Sequence, residues 1–247
     1  MRRTRLLRHL LTLASVSLLP VTGLAYQFYP SMEEWNSWPG YCKARYVTTN
    51  VGRVSPYAQM VGPTEPSRWE SMLDRGSWLH AHHGCAGVIY LQRANLAGPE
   101  DKKYKFLLDS AHSQLNYSWT RITAYDEVRA YLATSLSSVL TKKGEVEQAR
   151  QLLRQLISTR PELPDYYARL AYIERQAGDH EQAMKVLREG IAASATPSAE
   201  LYYFAGLVAI EQGHQTEAAS YASEAYRLGY PLAGLKRKLA KVGVAID

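Results

Sequence analysis

The decapeptide WLHAHHGCAG at positions 78–87 concentrates side chains that could bind a metal ion. Imidazole nitrogens and a cysteine thiolate are ligands that zinc and related metals prefer. The candidate ligands are His80, His82, His83 and Cys85. On a helix, the first and third histidines would share one face, and the second histidine would share another with the cysteine. Because the two pairs point in different directions, a metal site here would need a remote ligand such as His112.

The N-terminal residues have the organisation of a secretory signal peptide. A basic stretch, MRRTRLLRH, precedes the short apolar run LLTLASVSLLP, and small residues precede a predicted cut after Ala25. The apolar run is shorter than the roughly 20 residues that a membrane span needs. We therefore expect residues 1–25 to be a cleaved signal peptide and the protein to be periplasmic or secreted. An uncleaved N-terminal membrane anchor is the alternative.

The charge balance gives no support for nucleic-acid binding. The formal net charge is +6, but four of the 29 Lys and Arg residues lie in the predicted leader. The rest of the chain is nearly balanced against its 23 Asp and Glu residues. A basic footprint for a phosphate backbone is therefore not indicated.

Two cysteines, Cys42 and Cys85, are available in the predicted mature chain. In an oxidising compartment two such residues tend to pair, and a disulfide would hold the N-terminal segment to the first helix. The chain-entropy model gives such a loop on the order of 4 kcal/mol at best. Two separate buried thiols are the alternative.

An internal repeat occupies the second half of the chain. Gly144, Gly178 and Gly213 are spaced 34 and 35 residues apart. At a fixed offset after these glycines come three alanines, Ala149, Ala183 and Ala218. The stretch VEQARQLLRQLI has apolar residues at the spacing of an amphipathic helix. The pattern predicts helical hairpins whose first helix ends at a glycine in the left-handed conformation.

These features resemble the tetratricopeptide repeat (TPR) family, whose first helices carry a pair of small residues and whose second helices carry an alanine at a fixed position. The pairs here are Leu136–Ser137, Leu170–Ala171 and Ala205–Gly206. His83, Ala86–Gly87 and Tyr90 fit the same frame, so the histidine-rich stretch would open a degenerate first repeat. The resemblance implies an all-α, TPR-like right-handed superhelix of helical hairpins in an exported protein.

The resemblance also implies a concave binding groove formed by the first helices of successive repeats. Tyrosine and arginine, which dominate interface hot spots, are frequent among the corresponding residues. The implied groove residues are Tyr131, Thr134, Ser138, Arg169, Tyr172, Arg175, Tyr203, Leu207 and Ile210. Such a groove would suit an extended or helical peptide, although tyrosines that pack between helices would explain Tyr172 and Tyr203 equally well.

The flanking segments differ from the repeats. Residues 26–70 are rich in aromatic residues and proline, so we expect an irregular, largely extended segment packed on the first helices. Ser31 with Glu34, and Ser67 with Glu70, have the spacing of helix-capping boxes. The complete prediction is a signal peptide (1–25), the N-terminal segment (26–70), a degenerate hairpin (71–120), three repeats (121–231) and a C-terminal capping helix (232–247). In that last helix Leu232, Leu235 and Leu239 would share one face.

Motifs of known active sites are absent from the sequence, including Gly-x-Ser-x-Gly, His-Glu-x-x-His and phosphate-binding loops. Glu33, Glu34 and Asp74 lie near tryptophans, but helix capping explains them more simply than a glycosidase pair does. We expect no enzyme activity and no cofactor. The sequence favours a periplasmic adaptor for a protein or peptide partner in an envelope assembly, such as a pilus, secretion or polysaccharide-export machine. The partner would not be nucleic acid, and contact with a membrane would occur only through partners or an uncleaved signal anchor. The alternative is a metal- or small-ligand-binding module centred on His80, His82 and His83.

Overall fold

The structure is a computed structural model that describes residues 28–124 and 127–246. The predicted signal peptide, residues 1–25, and its cut after Ala25 lie outside the described residues. Within those residues the chain forms α-helices and two short 3-10 helices, with no strand. The α-helices are α1 (Met32–Ser37), α2 (Gly40–Tyr46), α3 (Glu65–Met72), α4 (Arg75–Ala97), α5 (Tyr104–Trp119), α6 (Glu127–Lys142), α7 (Val146–Thr159), α8 (Pro164–Gln176), α9 (His180–Ala193), α10 (Ala199–Glu211), α11 (Gln215–Arg227) and α12 (Gly234–Lys241).

Four antiparallel hairpins form the body of the molecule. They pair α4 with α5, α6 with α7, α8 with α9, and α10 with α11, and each hairpin packs against the next. No single hairpin can bury its own apolar face, so stacking produces the continuous core. This arrangement is the all-α, TPR-like superhelix that the repeat pattern predicts.

The turns between paired helices follow the repeat glycines. Gly144, Gly178 and Gly213 have φ of +82°, +82° and +80°. After each glycine, the next backbone N–H donates to a carbonyl five residues back, as in Glu145 to Leu140 at 2.9 Å. This satisfies carbonyls at the helix end, and only glycine adopts the left-handed conformation without steric cost. The predicted helix ends are confirmed.

Small residues allow the helices to cross closely. Ala149, Ala183 and Ala218 are fully buried. In the first hairpin, a Cβ added to Gly87 would lie 2.7 Å from Cγ of Leu115 on α5. A larger residue at these positions would force the paired helices apart.

The regular repeats also contain one buried carboxylate. Glu174 on α8 is 2% exposed and lies where the family pattern would place an aromatic residue. Nε of Arg150 on α7 donates to both of its carboxylate oxygens at 3.1 and 3.0 Å. A buried charge is tolerated only with such a partner, so this ion pair joins two successive repeats.

The N-terminal segment is built from short helices, which differs from the extended chain expected for residues 26–70. Ser31 and Glu34 form the predicted capping box of α1, with the Ser31 N–H donating to the Glu34 carboxylate at 2.7 Å. The second predicted box is wrong, because α3 begins at Glu65 and Ser67 lies inside it. Pro66 is accepted in the first turn of a helix, so the helix begins before it.

Buried aromatic rings pack this segment onto the first hairpin. Trp35 stacks on Tyr57 with centroids 4.5 Å apart, and Trp38 donates from Nε1 to the Cys85 carbonyl at 3.1 Å. The Tyr46 hydroxyl donates to the Phe28 carbonyl at 2.9 Å. These two hydrogen bonds allow the Trp38 and Tyr46 rings to be buried without leaving their donors unsatisfied.

A disulfide joins the N-terminal segment to the first hairpin. Cys42 on α2 and Cys85 on α4 have sulfurs 1.96 Å apart, and both residues are buried. This is the pair that the cysteine count favours. Asp74 caps α4 by accepting the Gly76 N–H at 2.8 Å, in agreement with a structural role for that carboxylate.

The C-terminal helix covers the last repeat. Leu235 and Leu239 on α12 are fully buried, whereas Leu232 is 57% exposed. Leu232 was expected on the same face, and that expectation is wrong because α12 begins two residues later, at Gly234. No helix within residues 28–124 and 127–246 has the length and apolar composition needed to cross a membrane.

Candidate binding groove

A groove of about 460 Å³ lies on the face formed by the first helices of the three regular repeats. Its lining combines charged, aromatic and small side chains from α6, α8 and α10. The lining residues are Thr134, Asp165, Ala168, Arg169, Tyr172, Glu200 and Phe204. The volume is within the range of about 300–1,000 Å³ that is usual for ligand sites.

Three of the predicted groove residues, Thr134, Arg169 and Tyr172, line this groove. Tyr131 is half-buried, and its ring lies 6.3 Å from that of Tyr41 on α2. Burial raises the pKa of Tyr131 to about 12. The N-terminal segment therefore covers the groove at this end, which a repeat pattern does not reveal.

Two further predicted residues are engaged in contacts within the stack. The Ser138 hydroxyl donates to the Thr134 carbonyl at 2.9 Å. Arg175 forms a bidentate ion pair with Glu211 on α10 at 2.6 and 2.7 Å. The Arg175 guanidinium therefore links two repeats and does not line the groove.

The predicted residues of the last repeat are placed differently from the expectation. Tyr203 and Leu207 are each 7% exposed, and Ile210 is half-buried. Tyr203 stacks on Tyr230 with centroids 4.1 Å apart, and α12 packs on α10. The assignment of Tyr203 and Leu207 to an open groove is wrong, because the C-terminal segment covers this part of the concave face.

The sequence analysis does not identify four of the groove residues, Asp165, Ala168, Glu200 and Phe204. Tyr131, a predicted groove residue, lies two positions before Ala133 in the repeat frame. The same offset from Tyr167 and Tyr202 identifies Asp165 and Glu200. Applying one offset to all three repeats would therefore have found both carboxylates.

Arg169 differs from Arg150, Arg175 and Arg188 in its partners. Its Nε donates to the Ser137 hydroxyl at 3.3 Å, and its guanidinium lies 4.9 Å from the Tyr172 ring centroid. Burial lowers the pKa of Arg169, and the nearby Tyr172 partly offsets this effect. Arg150, Arg175 and Arg188 each pair with a carboxylate, whereas no carboxylate in the described part of the chain pairs with Arg169.

Glu200 and Asp165 form the negative part of the groove. They lie in the first turns of α10 and α8, where carboxylates also interact favourably with the helix dipole. Burial raises the pKa of Glu200, and the negative charge of Asp165 acts in the same direction. The two carboxylates therefore lie close enough to repel each other inside the groove.

A larger depression, of about 640 Å³, lies on α9 and the following turns. Its charged side chains already pair with neighbours, since Arg188 contacts Glu217 at 2.6 Å and His214 contacts the same carboxylate at 3.6 Å. The groove on the first helices is the stronger candidate site, because its charges form no such pairs among the described residues.

The histidine cluster is part of the packing of the first hairpin. The Cys85 sulfur is bonded to Cys42 in the disulfide. Nδ1 of His83 lies 2.6 Å from the Gln114 side-chain oxygen. Burial lowers the pKa of His80 and His83, and it lowers that of His82 to about 3, with Arg45 contributing to each shift. Within the residues that the structure describes, no three His, Cys, Asp or Glu side chains are arranged to hold a metal ion.

Residues 140–204 match the sequence model of the tetratricopeptide repeat family. The match spans the end of α6 through α9 and into α10, and it contains every groove residue except Thr134. This part of the chain therefore carries the repeat of that family. Repeats of this family are generally non-catalytic interaction modules.

Solved structures of similar fold include several TPR proteins. A thermophilic TPR protein from Thermus thermophilus is 18% identical, with a TM-score of 0.46 over 70% of this chain and 97% of its own. A tetratricopeptide repeat protein from Parabacteroides merdae is 15% identical, with a TM-score of 0.47 over 71% and 67%. MamA MSR-1 is 18% identical, with a TM-score of 0.40 over 63% and 83%. No curated protein matches the sequence significantly.

Proposed function

We propose that the protein is an exported, non-catalytic scaffold that holds a segment of a partner protein in the groove between α6, α8 and α10. The observation that carries the proposal is the composition of the groove. It presents Tyr172 and Phe204 beside an arginine and two carboxylates that lack ion-pair partners among the described residues. Aromatic and arginine side chains in a concave site are typical of interface hot spots.

The position of the groove also supports a bound peptide segment. Tyr41 approaches the concave face at Tyr131, and the C-terminal segment covers Tyr203. The groove between these two ends has a volume of about 460 Å³, which accommodates several side chains of a short extended or helical segment. Such segments bind by placing alternate or i, i+3 and i+4 side chains into pockets.

Export to the periplasm or the cell exterior is part of the same proposal. The signal-peptide pattern of residues 1–25 and the disulfide between Cys42 and Cys85 both favour an oxidising compartment. We propose that the partner belongs to an envelope assembly such as a pilus, secretion or polysaccharide-export machine. Cell fractionation with intact-mass measurement tests the location. A cytosolic protein that retains residues 1–25 would contradict it.

Site-specific photo-cross-linking in the native host tests the groove. A benzophenone amino acid replaces Phe204, and the matched control places it at exposed Lys185 on α9. We expect one defined protein adduct from position 204, reduced by Arg169→Ala and absent from position 185. The same adducts from both positions, or none from position 204, would overturn the groove as the binding site.

A further inference from the structure

We infer that the segment bound in this groove carries both signs of charge, with a basic side chain between Asp165 and Glu200 and a carboxylate on Arg169. The inference rests on the proposed function, because it specifies the chemistry of the groove's occupant. It follows from charge complementarity inside one cavity, where three charged side chains line the wall without forming ion pairs with each other.

The positive part of the cavity is oriented away from the negative part. Asp165 and Arg169 are four positions apart on α8, a spacing at which opposite charges commonly pair. Arg169 instead donates from Nε to Ser137 on α6 and lies over Tyr172. A guanidinium has five N–H donors, so most of its donors are available to a planar carboxylate in bidentate geometry.

The negative part brings together carboxylates from successive hairpins. Asp165 and Glu200 belong to α8 and α10, and neither forms an ion pair within residues 28–124 and 127–246. Helix-dipole stabilisation accounts for acids at these positions, but it does not require Glu200 to be buried in a groove. An ammonium or guanidinium group placed between the two carboxylates would relieve their repulsion and the cost of burial.

Apolar surface separates and supports the two charged parts. Ala168, Tyr172 and Phe204 line the same cavity. The aliphatic stem of a lysine or arginine can lie along such a surface while its charged end reaches the carboxylates. A purely acidic segment would meet Asp165 and Glu200, and a purely basic one would meet Arg169, so a segment with both charges is favoured over either.

Selection from a phage-displayed random peptide library tests the inference with the full mature chain as bait. The bait is used as the wild type, as Arg169→Gln, as the double variant Asp165→Asn/Glu200→Gln, and as Lys185→Gln, an exposed control on α9. We expect wild-type and control baits to select peptides that carry a basic and an acidic residue at a fixed spacing. Arg169→Gln should lose the acidic preference, and the double variant should lose the basic one.

Affinities of one selected peptide, measured by fluorescence anisotropy on the wild-type protein, give a test that does not depend on variants folding. Neutralising either charged residue of the peptide should weaken binding at least about tenfold. A peptide whose basic residue is replaced by Glu should not bind the wild type. The Asp165→Asn/Glu200→Gln double variant should bind this altered peptide with part of the original affinity.

The outcomes distinguish the inference from the proposed function. A peptide that binds in the groove should lose its binding to the Thr134→Trp variant. If such peptides show no charge preference, the inference alone is overturned. Selected peptides whose binding is unaffected by Thr134→Trp, or no enrichment of any peptide, would overturn both.

Discussion

The N-terminal part of the molecule and the regular repeats are stabilised in different ways. The first hairpin, α4–α5, is joined to residues 28–72 by contacts between residues distant in sequence. Examples are the disulfide over 43 positions, the Trp38 bond over 47 and the Arg93–Glu34 ion pair over 59. In the repeats α6–α11, each helix packs on its immediate neighbours. Repeats therefore gain stability locally and roughly additively, whereas the N-terminal part depends on a few long-range contacts.

The groove depends on both regions. The N-terminal segment covers its first end through Tyr41, and the repeats supply its walls. Loss of the N-terminal contacts should therefore extend the open groove without destroying it.

The largest effect is expected from removing the disulfide. Cys42→Ser with Cys85→Ser should reduce the free energy of unfolding by up to about 4 kcal/mol, because the unfolded chain regains the entropy of an open loop. Hydrogen exchange should show lost protection in α2 and α4, with α8–α11 largely unchanged. A single, uniform loss across all helices would contradict the difference between the regions.

Removing the buried carboxylate of the repeats should have the next largest effect. Glu174→Ala leaves Arg150 without its buried partner and should cost about 3 kcal/mol in urea unfolding. The matched control is Glu217→Ala, which breaks an exposed pair with Arg188 and should cost less than about 1 kcal/mol. Equal costs would show that burial does not determine the value of this ion pair.

Overpacking in the first hairpin should cause a smaller but measurable loss in the free energy of unfolding. Gly87→Ala places a Cβ 2.7 Å from Leu115 Cγ and 2.9 Å from its backbone nitrogen, and should cost about 2 kcal/mol. Gly62→Ala is the control, since its Cβ would come no closer than 3.6 Å to Glu65. A neutral Gly87→Ala in thermal unfolding would mean that α4 and α5 can separate at little cost.

The effect that is smallest near neutral pH concerns acid stability. Burial lowers the pKa of His82 to about 3 in the folded state, against about 6.5 in the unfolded chain. Between these values the unfolded state binds the extra proton, so the free energy of unfolding falls as pH decreases from about 6.5 toward 3. The slope contributed by one such group is at most about 1.4 kcal/mol per pH unit.

His82→Gln should therefore flatten the dependence of urea unfolding on pH in this range. His214→Gln, at a largely exposed histidine of the repeats, is the matched substitution. If both variants retain the slope of the wild type, His82 does not control the acid stability of the first hairpin.

Much of the fold was predictable because its signals are local. Gly144, Gly178 and Gly213 mark helix ends through a backbone conformation that glycine adopts most easily. Ser31 and Glu34 define the start of α1 through two hydrogen bonds three residues apart. Patterns of this kind depend on near neighbours, so the sequence carries them without knowledge of the rest of the fold.

The groove was only partly predictable because exposure depends on distant elements. Thr134, Arg169 and Tyr172 were identified from the repeat frame, and Asp165 and Glu200 would follow from one consistent offset. Tyr203 occupies the repeat position of Ala168, which lines the groove, yet Tyr203 is buried beneath the C-terminal segment.

The sequence by itself determined the repeat, the pairing of helices, the turns between them and, through its two cysteines, the only intramolecular disulfide it could form. Tertiary structure alone decided where the concave face stays open, because Tyr41 on α2 contacts Tyr131 on α6 at one end and the C-terminal segment packs on α10 at the other. It also decided that the histidines of WLHAHHGCAG lie within a hairpin. Burial and neighbouring arginines favour the neutral form of His82 there, and a sequence pattern contains neither the burial nor the neighbours.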